Sequence, residues 1–529
     1  MHAASQKRCR AGSRRRPFRA SAPLRSLPGQ FPNGFLTRHP LTPPMRNLTR
    51  LAVPVLVSLL APAALAQIVP GNLVVLRVGT GAAALSSTAT ASFLEQFTAT
   101  GLPVSTLPMP IAASGPNRAC TNSGSATSEG FVTQSIDGRY LTVCGYDAAP
   151  GVAGIAATAA ATTNRVIARI DLAGTIDTST ALTDGYTASN IRSAVSIDGS
   201  SFWASGASGT LGLGGMRYAT YGATTSTQLT GINNTRVGAI FGGQLYCSSA
   251  SGSLHGISTV GVGTPTVNGS TITILPGFSI VSGPSGYDFF IADANTVYVA
   301  DDRTSGLGGI QKWTLSAGTW TLQYTLAVTA TSGCRGLSGY VDGGVTTLFA
   351  TTTQTNANLL VSVTDSGPGS AFTTLATAAT NTAFRGVRWV RTPSSVVHSG
   401  TACATNTGIP TIGTANGDPV LGNTAFQITA ANVPVPTFVM FSLRVGASAP
   451  FGLPVPGTPA CVAVYVLPDV LLAELSGPGG TAATALGIPN VQALTGAVLS
   501  AQAFPFDLTM TGFSLAIGST DALDITIGN

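Results

Sequence analysis

One segment, SEGFVTQSIDGRYLTVCGY at residues 128–146, recurs in related form along the chain. The later copies are IRSAVSIDGSSFWASG (191–206), TRVGAIFGGQLYCSS (235–249), GYDFFIADANTVYVADD (286–302), CRGLSGYVDGGVTTLFAT (334–351) and the shorter FRGVRWVRTP (384–393). In each copy one polar side chain precedes a short apolar strand, and a turn and a second strand usually follow. The equivalent positions are Glu129, Arg192, Arg236, Tyr287, Arg335 and Arg385, at intervals of 63, 44, 51, 48 and 50 residues. A period of this length, built from short strands alone, predicts a β-propeller.

Each repeat is predicted to form a blade of four strands. The first would use FVTQSI, YLTVCGY, RVIARIDL and the stretch around residues 175–182, but the sixth has only FRGVRWVR. Three strands near the start of the region, NLVVLRVG (72–79), SFLEQFTAT (92–100) and PVSTLPMP (103–110), would complete that blade and close the ring. Closure removes unpaired edge strands. The prediction is therefore a six-bladed propeller over residues 67–392, and the long first interval leaves seven blades open.

Residues 393–529 are predicted to form a separate antiparallel β-sandwich of immunoglobulin-like type. The expected strands are TAFQITAANV (424–433), TFVMFSLRVG (437–446), CVAVYVLP (461–468), LLAELSGPGG (471–480), ALTGAVLSAQAFPF (493–506) and LDITIGN (523–529). GGTAATALG (479–487) is interpreted as a loop or at most one helical turn, since glycines bracket it. The whole chain is thus predicted to be all-β.

The N-terminal region indicates export. Residues 45–66 read as a signal peptide, with Arg46 and Arg50 before the apolar run LAVPVLVSLL and Ala64-Leu65-Ala66 before a cleavage site at Gln67. Residues 1–44 are expected to be disordered or to precede a misassigned start. The apolar run is too short for a membrane span. We therefore expect a secreted, periplasmic or cell-surface protein without a membrane span after cleavage.

The formal charge of +6 comes from this leader. Residues 1–66 hold eleven Lys or Arg and no Asp or Glu, which leaves 15 basic and 20 acidic residues, a net charge of −5, for the rest. An acidic surface argues against nucleic acid or an anionic membrane as a partner.

Six cysteines follow the leader, and an even number in an exported chain favours disulfides. Cys403 and Cys461 are alone in the C-terminal part and are predicted to pair. Cys120 and Cys144 flank one two-strand unit and are also predicted to pair. Cys247 and Cys334 fall in non-adjacent blades, and their pairing stays open.

Two regions of the chain each resemble a known family. GNLVVLRVG, TSEGFVTQSIDGRYLTVCGYD, INNTRVGAIFGGQLYCSS and GGIQKWTL resemble a family of uncharacterised exported bacterial β-propeller proteins, over about residues 71–392. The tail, from GTACATNTGIP to ITIGN, resembles a C-terminal module found on many secreted bacterial proteins. The resemblance implies fold and export but no reaction. Members of the propeller family often carry an acidic residue in the first turn, where this chain has Gly79-Thr80-Gly81.

The repeated polar positions are the candidate site. Because the first strands of propeller blades line the central channel, we expect Glu129, Arg192, Arg236, Arg335 and Arg385 to form a ring at one mouth. Arginine suits bidentate capture of carboxylate, sulfate or phosphate, so the ring could bind an anion or acidic glycan. Alternatively, each arginine could bond carbonyl groups of a neighbouring blade. Repetition at equivalent positions favours this second interpretation, because a structural need recurs in every blade.

Catalytic and metal sites find little support. Only His255 and His398 follow the leader, and Asp301 and Asp302 are adjacent, so strand alternation would point them to opposite faces. We predict no catalytic residue, metal site or cofactor. The favoured function is a secreted, non-catalytic binding or surface protein with an unknown extracellular ligand, possibly a glycan or anion. The alternatives are a lyase or hydrolase that acts on an acidic polysaccharide at the channel mouth, and a structural component of the cell envelope.

Overall fold

The computed structural model describes residues 66–281, 283–329, 331–455, 461–507 and 517–529. The predicted disordered region (1–44) and all but the last residue of the predicted signal peptide lie outside these ranges. Within them the chain forms strands and two short 3₁₀ helices, Ile155–Ala157 and Gln492–Leu494, which confirms the all-β prediction. None of the helices in these ranges has the length and apolar character needed to span a membrane.

The described residues before 392 form twenty-six strands. They are β1 (Leu73–Val78), β2 (Ala89–Thr90), β3 (Ser92–Phe97), β4 (Pro103–Pro108), β5 (Asn122–Ser123), β6 (Thr133–Gln134), β7 (Tyr140–Tyr146), β8 (Arg165–Asp171), β9 (Ile176–Leu182), β10 (Ile191–Val195), β11 (Ser201–Gly206), β12 (Arg217–Thr220), β13 (Thr227–Gln228), β14 (Gly238–Phe241), β15 (Gln244–Ser251), β16 (Leu254–Val260), β17 (Ile272–Ile274), β18 (Gly286–Asp293), β19 (Thr296–Asp301), β20 (Gly309–Ser316), β21 (Thr319–Leu326), β22 (Cys334–Asp342), β23 (Val345–Thr352), β24 (Leu359–Thr364), β25 (Thr373–Thr377) and β26 (Ala383–Trp389).

These strands form six four-stranded antiparallel sheets and one small two-stranded sheet, β2–β5, within the described ranges. We name the larger sheets I (β6–β9), II (β10–β13), III (β14–β17), IV (β18–β21), V (β22–β25) and VI (β26-β1-β3-β4). Sheet VI joins the two ends of the region, because β26 pairs with β1 from Leu73 opposite Trp389 to Val78 opposite Ala383. The sequence analysis predicted this pairing.

The six sheets contact one another in a closed order. The first strand of each sheet from II to VI contacts the sheet before it, and β26 of sheet VI also contacts β6 of sheet I. Six apolar clusters fill the spaces between neighbouring sheets. In β1, for example, Val74 and Leu76 pack against sheet I, whereas Leu73 and Val75 pack against sheet V. Side chains that alternate along each strand therefore bury both faces of a sheet.

The C-terminal part has eight strands among its described residues. They are β27 (Ser395–Ser399), β28 (Thr411–Ala415), β29 (Gln427–Ala431), β30 (Phe438–Val445), β31 (Val470–Leu475), β32 (Thr481–Ala485), β33 (Val498–Pro505) and β34 (Ala522–Thr526). They form a five-stranded sheet, β27-β34-β33-β30-β31, and a three-stranded sheet, β28-β29-β32. The two sheets share one apolar cluster, to which Ile428 contributes from the smaller sheet and Phe441 and Ile525 from the larger.

Two strand predictions in this part are wrong. The segment at 481–485, interpreted as a loop, is strand β32, whose Ala482 and Thr484 alternate into the interior. The segment at 461–468, predicted to be a strand, has no strand in the structure. The buried side chain of Gln502 explains the difference, since its Nε2 donates to Ala463 O at 2.6 Å and its Oε1 accepts from the N–H of Tyr465 at 2.9 Å. A side-chain amide thus satisfies main-chain groups that a strand ladder would have paired.

The cysteines follow the prediction for one pair and depart from it for the other. Cys403 and Cys461 form a disulfide with Cα atoms 6.0 Å apart. Cys120 and Cys144, predicted to pair, are both buried free thiols. Cys120 packs in the cluster between sheets VI and I, whereas Cys144 packs between sheets I and II. Their side chains therefore lie on opposite faces of sheet I, which corrects the predicted bridge. Cys247 is also a buried free thiol, as is Cys334.

Candidate functional site

The five predicted site residues lie at the N-terminal ends of the innermost strands. Arg192, Arg335 and Arg385 stand near the starts of β10, β22 and β26, while Glu129 and Arg236 precede β6 and β14 by a few residues. All six sheets therefore present this position at the same end of the ring, which we call the arginine mouth. Tyr287 takes the equivalent place in sheet IV.

Local irregularities in the strands direct several of these side chains towards the arginine mouth. The pairing register shifts at Arg192 in β10, at Tyr287 in β18, at Arg335 in β22 and at Arg385 in β26. A bulge of this kind bends the strand and redirects the side chain at the extra residue. The repeated bulge explains how polar groups reach the mouth while the residues that follow still alternate into the apolar clusters.

Arg192 and Arg236 each bind the next sheet along the ring. Nη1 of Arg192 donates to Oδ1 of Asn234 at 2.7 Å and to the carbonyl of Thr235 at 2.8 Å, just before sheet III. Nη1 of Arg236 donates to the carbonyl of Gly286 at 2.8 Å, at the start of sheet IV. These bonds match the structural interpretation of the sequence repeat, in which an arginine holds neighbouring sheets together.

Arg335 and Arg385 are fixed by similar contacts. Nη1 of Arg335 donates to the carbonyl of Thr353 at 2.8 Å, and its Nε lies 3.3 Å from Oδ2 of Asp302, which follows β19 of sheet IV. Nη2 of Arg385 donates to the carbonyl of Gly124 at 2.9 Å. Each guanidinium therefore has a fixed orientation, and Asp302 adds a second carboxylate that was absent from the predicted set.

The arginines keep unpaired N–H groups. Nε of Arg192 and Nε of Arg385 are buried without a hydrogen-bond partner among the described residues. Within the same ranges, every side-chain hydrogen bond of Arg192 and Arg236 uses Nη1, and those of Arg335 use Nε and Nη1. The Nη2 groups of these three side chains are therefore without a protein acceptor in the described part of the chain. A guanidinium fixed on one side and open on the other is arranged in advance for a carboxylate or phosphate.

Both carboxylate oxygens of Glu129 accept hydrogen bonds from protein donors. Its Oε2 accepts from the hydroxyl of Tyr146 at 2.7 Å and from Nδ2 of Asn190 at 2.6 Å, and its Oε1 accepts from the N–H of Ser123. Burial raises the pKa of Glu129, although these donors and the charge of Arg385 act in the opposite direction. A carboxylate with both oxygens engaged is a structural partner, and it is poorly placed to act as a general base.

Burial also affects the cations. It lowers the pKa of Arg385 to about 10, with a further contribution from the charge of Arg335, while Glu129 opposes the shift. The pKa of Arg192 is lowered by burial as well. A pKa of about 10 leaves Arg385 protonated at neutral pH. The mouth brings together four guanidinium groups and two carboxyl groups, so positive charge is in excess whether or not the carboxyl groups are ionised.

An aromatic contact forms the floor of the mouth. The rings of Phe131 and Tyr287 stack with centroids 5.9 Å apart, and Val237 packs beside them. The guanidinium carbon of Arg236 lies 3.8 Å from the centroid of Tyr287, and that of Arg335 lies 5.8 Å from it. Cation–π contact on an apolar surface places the charges in a low-dielectric setting, where an anion interacts more strongly with them.

Sequence reasoning missed two contributors to this mouth. Tyr287 stands at the repeated position and could have been included on that signal alone. Asp302 could not, because its contact with Arg335 joins two sheets and depends on where the turn after β19 lies. The adjacent Asp301 faces away, as strand alternation predicted, and its carboxylate accepts from Arg303 and from Nε2 of Gln311 at 2.8 Å.

The two histidines that follow the leader, His255 and His398, lie outside the mouth. Nε2 of His255 lies 3.1 Å from the carbonyl of Gly252, and Nδ1 of His398 lies 2.8 Å from Oδ2 of Asp521 in the C-terminal part. Among the described residues, no group of three His, Cys, Asp or Glu side chains could hold a metal ion. The turn residues Asp137 and Asp198 accept bonds within their own turns, from the N–H groups two residues on.

Comparison with known proteins gives no family. No family model matches the chain, and no curated protein matches it. Among solved structures, the polysaccharide lyase Uly1 aligns with 10% sequence identity and a TM-score of 0.17, over 78% of this chain and 92% of that chain. A TM-score of 0.17 is too low to support a shared fold or a shared activity. The assignment of function therefore depends on the geometry of the mouth.

Proposed function

We propose that the protein is an exported, non-catalytic binding protein that takes an anionic extracellular ligand at the arginine mouth. In this proposal the ring of sheets I–VI is a six-bladed β-propeller over residues 67–392. The sheets of residues 393–529 form a β-sandwich module that serves adhesion, sorting or spacing. The closed order of contacts between the sheets and the shared apolar cluster of the C-terminal part support these two assignments.

Export has two supports. The basic n-region, apolar run and small-residue cleavage site at residues 45–66 have the pattern of a secretory signal. The Cys403–Cys461 disulfide fits an oxidising compartment, where such bonds persist. The proposed membership of the exported propeller family agrees with both.

One observation carries the binding role. Each mouth arginine is held by carbonyl groups through part of its guanidinium, and N–H groups on the rest have no acceptor among the described residues. The same arginine can therefore hold the sheets together and bind an anion, because different guanidinium nitrogens make the two sets of hydrogen bonds. Side chains that are already ordered lose less conformational entropy when a ligand binds. The excess of positive charge in an otherwise acidic chain would also attract anions selectively.

The same geometry favours binding over catalysis. A lyase or hydrolase that acts on an acidic polysaccharide needs a group free to abstract or donate a proton. Glu129 has both oxygens engaged, and Asp302 is oriented by Arg335. A ligand held by the guanidinium groups would therefore dissociate without being chemically altered.

The test is calorimetric titration of purified protein with oligogalacturonate, with neutral maltooligosaccharide as the uncharged control. We expect binding of the acidic oligomer that weakens as salt is added. The double variant Arg236→Gln/Arg335→Gln should raise its Kd at least about tenfold, a loss of about 1.4 kcal/mol. Arg139→Gln removes one positive charge, half of the charge lost in the double variant, at an exposed position in a turn and should leave the Kd within about twofold.

Three results would contradict the proposal. The first is that the wild type does not bind the oligomer, and the second is that Arg139→Gln weakens binding as much as the double variant does. The third is that the oligomer is shortened during the titration, since turnover would favour the lyase or hydrolase alternative. Thermal unfolding of each variant separates loss of binding from loss of fold.

A further inference from the structure

A cavity opens at the other end of the ring from the arginine mouth. It has a volume of about 140 Å³, and residues from β6, β10, β14, β18, β22 and β26 line it. Every one of the six sheets therefore contributes to its wall. The innermost strands run from the arginine mouth past the Phe131–Tyr287 stack to this cavity, so the two openings are separate sites.

Two arginines give the cavity a positive charge. Nε of Arg388 donates to the carbonyl of Val132 at 3.2 Å, and Nη2 of Arg391 donates to the carbonyl of Ser135 at 2.7 Å. In the described part of the chain, neither terminal nitrogen of Arg388 has a hydrogen-bond partner. Burial lowers the pKa of Arg391 to about 10, and the group stays charged at neutral pH.

The nearest carboxylates do not occupy the cavity wall. Asp288 interacts electrostatically with Arg388, but its oxygens accept from the N–H groups of Phe289 at 2.9 Å and Leu337 at 3.1 Å. Asp137 faces Arg391 from the turn that follows β6. The described lining holds the two arginines and no acidic side chain. An anion that enters would meet guanidinium groups before any carboxylate.

Beside the arginines, the wall has apolar and aromatic residues and three polar ones, Thr133, Gln134 and Ser338, whose side chains bond to protein groups. Ile240, Phe241 and Phe290 line it together with Trp389. Trp389 is held in place, since its main-chain N–H donates to Oγ of Ser338 at 2.9 Å and its ring centroid lies 4.8 Å from that of Tyr340. An apolar cavity of about 150 Å³ is large enough to take up benzene, so this one has room for a single six-membered ring.

A second cavity extends the first. It has a volume of about 200 Å³, lies between sheets III and IV and shares Phe241 and Ile291 with the central cavity. Tyr246 and Trp320 line it, with Gln244 and the exposed carboxylate of Asp293 as polar groups. Substituents on a ring bound in the central cavity would find a further apolar and aromatic surface here.

We propose that the central cavity is a binding site for a small aromatic carboxylate. The ring lies among Phe241, Phe290 and Trp389, and the carboxylate accepts hydrogen bonds from the free terminal nitrogens of Arg388. A flat apolar body suits this wall better than a sugar, since few polar side chains here are free of protein partners. The site is independent of the arginine mouth, which is open to large acidic oligomers.

The internal repeat supplies a matched pair of variants for the test. Ile136, in the turn Ser135-Ile136-Asp137-Gly138, lines the cavity and is 38% exposed. Ile197, in the equivalent turn Ser196-Ile197-Asp198-Gly199, is 41% exposed and does not line it. Replacement of either by aspartate adds the same charge at a similar exposure and in adjacent turns, but only Ile136→Asp places that charge in the cavity wall.

The experiment is calorimetric titration of the full chain with benzoate, with benzyl alcohol as its neutral counterpart and tryptophan fluorescence as a second readout. We expect a Kd for benzoate of about 1 mM or lower. Ile136→Asp should raise it at least tenfold, whereas Ile197→Asp should leave it within twofold. The arginine-mouth variant Arg236→Gln/Arg335→Gln should leave benzoate binding unchanged, which distinguishes this site from the proposed function.

Three outcomes overturn the inference. Lack of benzoate binding to the wild type shows that the cavity does not accept this class of ligand. Equal weakening by Ile136→Asp and Ile197→Asp assigns the effect to overall charge. Equal affinity for benzyl alcohol shows that Arg388 and Arg391 do not recognise the carboxylate.

Discussion

The ring of Phe131 stacks on the ring of Tyr287, with centroids 5.9 Å apart and planes inclined by 24°. Phe131 belongs to sheet I and Tyr287 to sheet IV, which lie three positions apart around the closed order of six. The contact therefore crosses the axis of the ring, and both side chains are buried, with exposures of 1% and 7%. It closes the centre and separates the arginine mouth from the cavity beyond it.

We expect Phe131→Ala to lower the free energy of unfolding by about 3 kcal/mol, because the truncated side chain leaves a cavity that six separate sheets cannot easily close. Urea unfolding followed by fluorescence measures the change. Phe438→Ala is the control, since Phe438 is 60% exposed on the C-terminal part, and its effect should stay within about 0.5 kcal/mol. Equal effects of the two substitutions would show that the contact between Phe131 and Tyr287 contributes no more to the free energy of unfolding than an exposed side chain does.

Close approach of the innermost strands gives a second prediction. A Cβ at Gly386 would lie 2.4 Å from the nitrogen of Val132 and 2.5 Å from Cα of Phe131, and both are main-chain atoms that cannot rotate away. We expect Gly386→Ala to destabilise the fold by about 3 kcal/mol in a denaturant titration. Gly231→Ala, where a Cβ would meet nothing within 4 Å, should be neutral or slightly stabilising. A wild-type midpoint for Gly386→Ala would refute the tight packing at the axis.

The sequence predicted the parts of the fold that recur at regular intervals and the strand pairing that completes the last repeat. The recurring segment placed the six sheets, and the incomplete sixth repeat indicated that the strand at 383–389 pairs with the strand at 73–78. The polar residues at the start of each repeat were expected to converge. In the structure, the charges of Glu129 and Arg335 both act on the pKa of Arg385. Periodicity carries this information because every repeat must place equivalent residues at equivalent points of a closed ring.

Contacts between different repeats were beyond the reach of that reasoning. The ion pair of Lys312 with Asp365 joins sheets IV and V across 53 positions, and no local pattern marks either residue. The error at Cys120 and Cys144 has a related cause, since nearness in sequence did not reveal that the thiols lie on opposite faces of sheet I. Such contacts depend on how two sheets pack, which alternation within one strand does not specify.

The Cys403–Cys461 bridge gives a prediction for the C-terminal part. The two cysteines are 58 residues apart, and in the chain-entropy model a closed loop of that length stabilises the fold by about 4 kcal/mol. The double variant Cys403→Ser/Cys461→Ser should lose stability of that order in a denaturant titration. Peptide mapping without reductant should recover the two linked fragments, and alkylation of both cysteines in the native protein would contradict the bridge. Cys247→Ser, at a buried free thiol, controls for loss of sulfur.

The last prediction concerns acid stability. Asp365 accepts from Nζ of Lys312 at 2.7 Å and from the hydroxyls of Tyr298 and Tyr324 at 2.5 and 2.6 Å. Burial disfavours its charged form, but the donors outweigh burial and hold the pKa of Asp365 at about 2. This value lies below the unfolded value of about 3.9. The stabilising contribution is therefore present above pH 4 and is lost as the pH falls towards 2.

Asp365→Asn should destabilise the protein by about 2 kcal/mol at pH 7, because Lys312 loses its charged partner while staying partly solvated. The difference from the wild type should shrink between pH 4 and pH 2, which thermal unfolding across that range can measure. Asp418→Asn makes the same chemical change at an exposed carboxylate and should follow the wild type throughout. A difference between Asp365→Asn and the wild type that stays constant down to pH 2 would show that the charge on Asp365 is not the stabilising feature.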